Sequence, residues 1–495
     1  MIPFVEAACG LVAPTLGISS SQTKIPLCLV LSLPFAAVLK RLPDHRPDIK
    51  NIYSISVSLF YLLGIFSLWC GLRTLLISSL GTYVLSAFIK NKYMPLIVFV
   101  FVLGHMGFNH FRSFGKPDET VDIIGAQMVL CMKMTSFAWN IHDGRQPEAT
   151  LSAFQKDRAL RYLPSLLDFL GYVFFFPSLL IGPTFDMAEY LRFINLTMFD
   201  VDVPDKTSKT GRGRQRKIPS SSGPALKMFL EGIMWDFPLS NEYLSYSFLQ
   251  RLFYLMALSF TYRAKYFGAW TLSESGVILS GFGYNGVDSR GKRRWDRVTN
   301  IEPWTMETAQ SSKVVLEAWN KNTNKWLKNY VYMRVASNKK GVPGTKSSLF
   351  TFATLAFWHG FQAGYYLTFG TAAFVQICDY RRHLRPFFLN ADCTPTNRKI
   401  YYDVLGWFVT KIAYDYLVMP VAMLDFKSSI ICWYRLWFFG HVGIALTLAF
   451  FMGPGKQWID RKLKKRGQLL VEAEATDEIV ASSIVEASGS LTNPL

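Results

Sequence analysis

The sequence predicts an all-α polytopic membrane fold, a bundle of roughly nine to twelve transmembrane helices with added interfacial helices. Three observations predict it. Half of the 495 residues are apolar, and mean hydropathy is positive at +0.19. Only 18% are charged, against about 25% in soluble domains. Apolar runs of spanning length recur along most of the chain. This composition excludes disordered, coiled-coil and collagen-like chains and argues against a soluble enzyme.

A spanning helix needs about 20 mostly apolar residues. In chain order the candidates are 25–39, which is short, then 51–69, 72–89, 94–109, 124–140 and 163–183. A weaker run covers 224–238. Residues 243–268 follow, then the short run 271–284, and finally 348–378, 401–424 and 429–452. Together they set a membrane domain over 25–452, with an N-terminal segment, 1–24, before it and a tail, 453–495, after it. Residues 1–24 lack a basic stretch followed by an apolar one, so the first apolar helix reads as an uncleaved anchor. No fixed-period repeat is visible, which argues against a transporter or channel built on inverted repeats.

The net charge is +18, from 53 basic and 35 acidic residues. Basic residues fall mostly between apolar runs, as loops facing an anionic cytoplasmic leaflet would. Residues 205–217 hold six Lys/Arg after Asp205 and read as a solvated cytoplasmic loop. A second basic loop lies within 286–304, and the tail is basic from Lys456 to Arg466, then acidic from Glu472 to Glu486. The basic part of the tail is expected in the cytosol, and the chain beyond about residue 470 is expected to be flexible. No interleaved aromatic–basic strand pattern is present, so no nucleic-acid partner is expected. Seven scattered cysteines without a C-x-x-C pair read as free thiols, and no metal site is expected.

One segment, 311–336, fits no span. It is amphipathic, with Lys321, Lys325 and Lys328 among Trp319, Trp326, Leu327 and Tyr330, and reads as a helix in the interface or dipping into a protein-lined cavity. The wider region 286–336 is thus expected to be interfacial and to carry chemistry. If the segment is one helix, Asn320 and Asn324 share a face, as do Trp319 and Trp326. Amides so placed orient a hydroxyl or stabilise an oxyanion, or merely bond headgroups.

Among seven histidines, His359 stands apart. It follows an apolar and hydroxyl run and precedes Gly360, Ala363 and Gly364, small residues that let a backbone or a thin substrate come close. An imidazole shielded from bulk water accepts a hydroxyl proton; the plainer alternative is a histidine bonded to a neighbouring helix. Competing signatures are missing: no H-x4-D, no G-x-S-x-G, no H-E-x-x-H and no DHHC. GVPGTKS, 341–347, is only a faint phosphate-loop match.

The pairing of AWNKNTNKWL, 318–327, with FWHGFQAGYYLTF, 357–369, resembles the membrane-bound O-acyltransferase family, most closely its fungal broad-specificity lysophospholipid acyltransferases. FAWNIHDGR, 137–145, FFFPSLLIGPTFDMAEY, 174–190, and YNG…RRWDRVTNIEPW, 284–304, extend the resemblance over roughly residues 50–450. It implies a helical bundle around an internal cavity and transfer of a fatty acyl group from acyl-CoA, a co-substrate rather than a cofactor, to the free hydroxyl of a lysophospholipid. It further implies residence in the endoplasmic reticulum membrane, although the chain ends LTNPL and not in a retention tetrapeptide. His359 matches the family's catalytic base and Asn320 its partner amide. Asn322, Asn324, Trp326, Trp358, Lys321, Lys325, Trp295 and Asp296 are the expected substrate-binding residues, whereas His142 is not carried over. Sterol, diacylglycerol or protein are the rival acyl acceptors. VVLEAWN, 314–320, stands where sterol and diacylglycerol branches carry a FYxDWWN-type segment.

Overall fold

A computed structural model of the chain describes residues 3–16, 19–114, 123–204, 212–216, 237–335, 345–378, 384–390 and 394–466. Its helices are α1 (Pro3–Leu16), α2 (Ser20–Arg41), α3 (Pro47–Leu59), α4 (Trp69–Phe88), α5 (Met94–Ser113) and α6 (Ile124–Gly144), with α7 (Ala153–Arg158), α8 (Leu166–Val173) and α9 (Met187–Ile194) next. Then come α10 (Phe248–Ser280), α11 (Pro303–Glu307), α12 (Ser312–Ala318), α13 (Lys321–Trp326), α14 (Thr345–His359), α15 (Ala363–Ile377), α16 (Lys399–Met423), α17 (Phe426–Arg435) and α18 (Phe439–Met452).

Helix α6 is the hub. Sixteen of its 21 residues are buried, so protein rather than lipid surrounds it. That shelter lets it carry Gln127, Lys133, Asn140 and Asp143 where a lipid-facing helix would be apolar. Among the described residues, four helices are long and apolar enough to cross a membrane: α2, α4, α5 and α16. A fifth span results if α17 and α18, bent by 75°, count as one. The expected nine to twelve spans are not reproduced on length and composition, because inner helices are polar and others are short.

Four expected runs are corrected. Residues 163–183 do not form a span: α8 stops at Val173 and a 3-10 turn covers Phe176–Ser178. Pro164, Pro177 and Pro183 break the helix, and the core pays the irregular backbone's hydrogen bonds. Ser54 and Ser58 donate to the Phe174 carbonyl at 3.1 and 2.6 Å, Lys133 to Tyr172 O at 3.0 Å, and Ser273 to Pro177 O at 3.0 Å. Runs 243–268 and 271–284 fuse into the 33-residue α10, opened by a capping box at Ser247 and Gln250. Run 348–378 divides into α14 and α15 at Gly360. The run 224–238 lies outside the described residues up to 236, and 237–239 form a 3-10 turn.

The described part of the basic loop is not irregular. Asp200–Pro204 (β1) pairs antiparallel with Arg212–Arg216 (β2), Asp200 opposite Arg216 and Pro204 opposite Arg212. The bundle is helical as expected, and this one two-stranded ladder is added to it; residues 205–211 and 217 lie outside the described part. The tail continues as helix over 454–466, and the residues expected to be flexible lie outside the described part.

The expected amphipathic helix at 311–336 is also corrected. It is four short pieces: α12, α13, a π turn at Leu327–Val331 and a 3-10 turn at Tyr332–Arg334. Trp326, Leu327, Tyr330 and Val331 are buried in the main core. The segment plugs into the protein, because its large apolar side chains find α6 there: Trp326 Nε1 donates to Thr135 Oγ1 at 2.9 Å and Tyr330 Oη to Asn140 Oδ1 at 3.0 Å.

Candidate active site

Helix α14 delivers His359 as its last residue. It stops there because Gly360 has φ +122°, a backbone region that side-chain-bearing residues rarely adopt. A Cβ at Gly360 would also stand 2.9 Å from His110 Nδ1, and His110 Nε2 lies 3.2 Å from the Trp358 carbonyl oxygen. The imidazole of His359 stacks on Tyr365 and Phe369, both with centroids at 5.0 Å. These rings sit four residues apart on α15 and so share one face. Trp358 meets the imidazole edge-on at 4.8 Å, and its own Nε1 donates to Met128 O at 3.0 Å. Neither ring nitrogen of His359 bonds another described residue.

Asn320 sits between α12 and α13 in the left-handed region, φ 42° and ψ 52°. Asparagine tolerates that conformation better than most residues. Asn300 locks the turn from outside. Its carbonyl accepts from Lys321 N at 2.9 Å, and its Oδ1 accepts from Asn322 N and Nδ2 at 3.2 and 3.1 Å. Thr299 beside it donates to Glu274 on α10 at 2.6 Å. The Asn320 amide itself bonds no other described residue.

Both open groups face one cavity of about 440 Å³. Asn322, Thr323 and Trp358 line it with them, as do Met128 and Met132 of α6 and Tyr266 and Trp270 of α10. A pocket of this size and mixed lining is what a small-molecule reaction site needs. The fold therefore brings His359, Asn320, Asn322 and Trp358 together. Asn322 is occupied as scaffold, since its Nδ2 also donates to Val298 O at 3.0 Å.

Six expected substrate-binding residues are not among those lining this cavity. The helix starts only after Asn320, so Asn324 turns away and donates to Leu316 O at 2.9 Å. Trp326 is core, and Trp319 packs instead on Trp270 of α10 at 5.0 Å, so neither expected pair shares a helix face. Lys321 pairs with Glu302 and holds that carboxyl below its ordinary range by hydrogen bonding. Lys325 lies 3.9 Å from Glu189, a carboxylate that Arg158 also reaches at 2.9 Å. Burial pushes Glu189 up, but these cations prevail and hold it down. Trp295 meets Tyr284 edge-on at 5.7 Å, and Asp296 pairs at the surface with Arg294 at 2.8 Å. His142 packs edge-on to Trp139 and does not line the cavity.

With this geometry in place, the sequence model described as "MBOAT, membrane-bound O-acyltransferase family" matches residues 117–419, a stretch holding both His359 and Asn320. The chain belongs to this family. The O-acyltransferase is 46% identical to a "Lysophospholipid acyltransferase" of Schizosaccharomyces pombe, across 91% of this chain and 90% of that one. It is 42% identical to a protein of the same name from Saccharomyces cerevisiae, across 93% and 79%. It is 29% identical to "Membrane-bound glycerophospholipid O-acyltransferase 2" of Homo sapiens, across 95% and 92%.

Asn300 and the ring pair Tyr266 and Trp270 were not singled out from sequence. Asn300 lies inside the RRWDRVTNIEPW block, and its spacing to Asn322 carries no helical or strand period that could have flagged it. Replacing Asn300 with Ala strands two donors of Asn322 in the core, at about 1–3 kcal/mol each. The expected result in this O-acyltransferase is a lower melting temperature and a lower kcat with little change in KM. Asn300→Asp, which keeps the acceptor oxygen, should restore most of both in parallel melting and rate measurements.

Proposed function

We propose that the chain transfers a fatty acyl group from acyl-CoA to the free glycerol hydroxyl of a lysophospholipid, yielding phospholipid and CoA. One observation carries this reading: the imidazole of His359 and the amide of Asn320, both open, face a single cavity. His359 takes the hydroxyl proton as the glycerol oxygen attacks the thioester carbonyl. Asn320 Nδ2–H donates to the oxyanion that forms on that carbonyl oxygen. The tetrahedral intermediate then expels the CoA sulfur, and the imidazolium returns its proton to the thiolate. Holding both substrates in one chamber removes much of the translational entropy of the encounter. A thioester is already activated, so this sequence of steps is complete with the chain's own residues.

The substrates set the approach routes. Acyl-CoA is anionic and comes from the aqueous side, where the exposed Lys328 and the loop carrying Arg290, Lys292 and Arg293 supply positive charge, Lys321 and Lys325 being paired with Glu302 and Glu189. The lysophospholipid comes laterally from the bilayer. Residence in the endoplasmic reticulum membrane, with the basic tail segment in the cytosol, fits this arrangement. Support comes from the fungal and animal relatives, whose names specify lysophospholipid or glycerophospholipid acylation.

The test offers labelled acyl-CoA to the reconstituted protein with lysophospholipids of varied headgroup, a sterol, diacylglycerol and an acceptor peptide. Label is expected in diacyl phospholipid. Label only in sterol ester, triacylglycerol or peptide would overturn the reading.

A further inference from the structure

A second cavity, of about 300 Å³, lies between α15, α16 and α18. It shares no lining residue with the reaction cavity. Val375, Phe408, Ile412, Leu417, Phe439 and Ile444 give it an apolar wall. Three polar side chains on that wall are engaged within the protein, and Ser312, Thr371 and Thr410 add hydroxyls to it. The Tyr416 hydroxyl lies 2.7 Å from His441 Nδ1, Thr447 donates to Gly443 O at 2.7 Å, and the Cys378 thiol is 3.9 Å from Ile444 O. The apolar side chains dominate the wall and offer its occupant mainly hydrocarbon contact.

Two glycines of α18 behave differently. A Cβ at Gly440 would strike the Tyr416 ring at 2.5 Å, so that glycine serves close packing. A Cβ at Gly443 would meet nothing within 4 Å, although Gly443 lines the cavity. The missing side chain there leaves space that no neighbour fills. At the cavity's rim Val409 is 40% exposed, and outside it Val442 and Leu446 are 51% and 67% exposed. On α16, a helix long and apolar enough to span, and on the adjoining α18, that exposure is to lipid chains rather than water. An apolar cavity of this kind does not hold water, whereas an alkyl chain gains dispersion contacts along its whole length.

We propose that this cavity holds an acyl chain of a bilayer phospholipid, as a binding site separate from the reaction cavity. The position gives the chain a bracing role. Thr371, Val375 and Cys378 line the cavity from the later turns and the C-terminal end of α15, while its first turns hold Thr368, which donates to Leu417 O of α16 at 2.9 Å, and present Tyr365 and Phe369 to His359.

The experiment uses the full chain in phosphatidylcholine vesicles that carry a diazirine in mid-acyl chain, with adducts mapped by mass spectrometry after irradiation. Adducts are expected at inward-lining Val375, Ile412 or Ile444. Gly443→Phe and Ala413→Phe, which both fill the cavity, should each reduce them at least tenfold while adducts on α4 stay unchanged. Absence of these adducts in the unmodified chain, or their persistence in both variants, would overturn the proposal. So would their displacement by a sterol that phospholipid cannot compete away. The readout is independent of turnover, so it stands or falls apart from the acyl-transfer reading.

Discussion

Replacing His359 with Ala is expected to lower acyl transfer by about 10²–10⁴-fold, the usual contribution of a positioned general base. The rings packed on His359, those of Tyr365, Phe369 and Trp358, offer no comparable base, and His110, the other imidazole lining the cavity, already has its Nε2 3.2 Å from the Trp358 carbonyl oxygen. The imidazole also stacks, so alanine removes packing as well as chemistry. His359→Phe separates the two. It keeps an aromatic ring between Tyr365 and Phe369 and removes both nitrogens. Melting of the phenylalanine variant should stay close to the unmodified protein, and its kcat should fall as far as that of alanine. Steady-state rates with saturating acyl-CoA check this, together with a thermal melt in the same detergent. A phenylalanine variant that retained a tenth or more of the activity would remove His359 from the chemistry.

Removing the Asn320 amide is expected to cost about 10²–10³-fold in kcat, the range seen when one oxyanion donor is lost. The choice of replacement matters because the residue has φ 42°. Alanine would add backbone strain of about 1 kcal/mol or more to the loss of the amide. Glycine accepts that φ without strain, so Asn320→Gly should leave the melting temperature within about a degree or two and still lose the rate. The KM for acyl-CoA should change little if the amide acts on the developing negative charge rather than on the bound thioester. A large rise in KM with kcat preserved would instead make Asn320 a binding residue.

Much of the bundle could be read from the sequence because lipid imposes long apolar runs, and α2, α4, α5 and α16 stand where such runs occur. The same rule misled at 163–183. Phe174, Phe175 and Phe176 have the hydropathy of a span, but they fill the protein core on irregular backbone whose carbonyls are satisfied by Ser54, Ser58 and Lys133 from elsewhere. Hydropathy reports burial in an apolar medium and does not say whether that medium is lipid or protein. Conversely, α6 carries enough polar side chains to weaken its apolar signal although it is among the most buried helices.

At the site, the residue types were legible and the directions were not. His359 and Asn320 were marked by their motif surroundings, and the fold turns both to one cavity. Their neighbours were assigned on helical spacing, and a single left-handed residue at 320 resets that spacing. Asn324 then faces Leu316 instead of the cavity. The lysines 321 and 325 are paired with Glu302 and Glu189, the second 136 positions away, a relation that no local pattern encodes.

The claim that His359 and Asn320 act on one reacting carbonyl is tested most directly by a structure of the protein with a non-hydrolysable 2-oxoalkyl-CoA analogue of acyl-CoA, which keeps the carbonyl, and a lysophospholipid. The account predicts the analogue's reacting carbon in the 440 Å³ cavity. Asn320 Nδ2 should lie about 2.7–3.1 Å from the oxygen on that carbon or its equivalent. The lysophospholipid hydroxyl should lie within about 2.6–3.2 Å of a His359 ring nitrogen. An analogue bound with its acyl–sulfur junction in another part of the protein, or in the cavity with His359 and Asn320 contacting neither substrate, would contradict it.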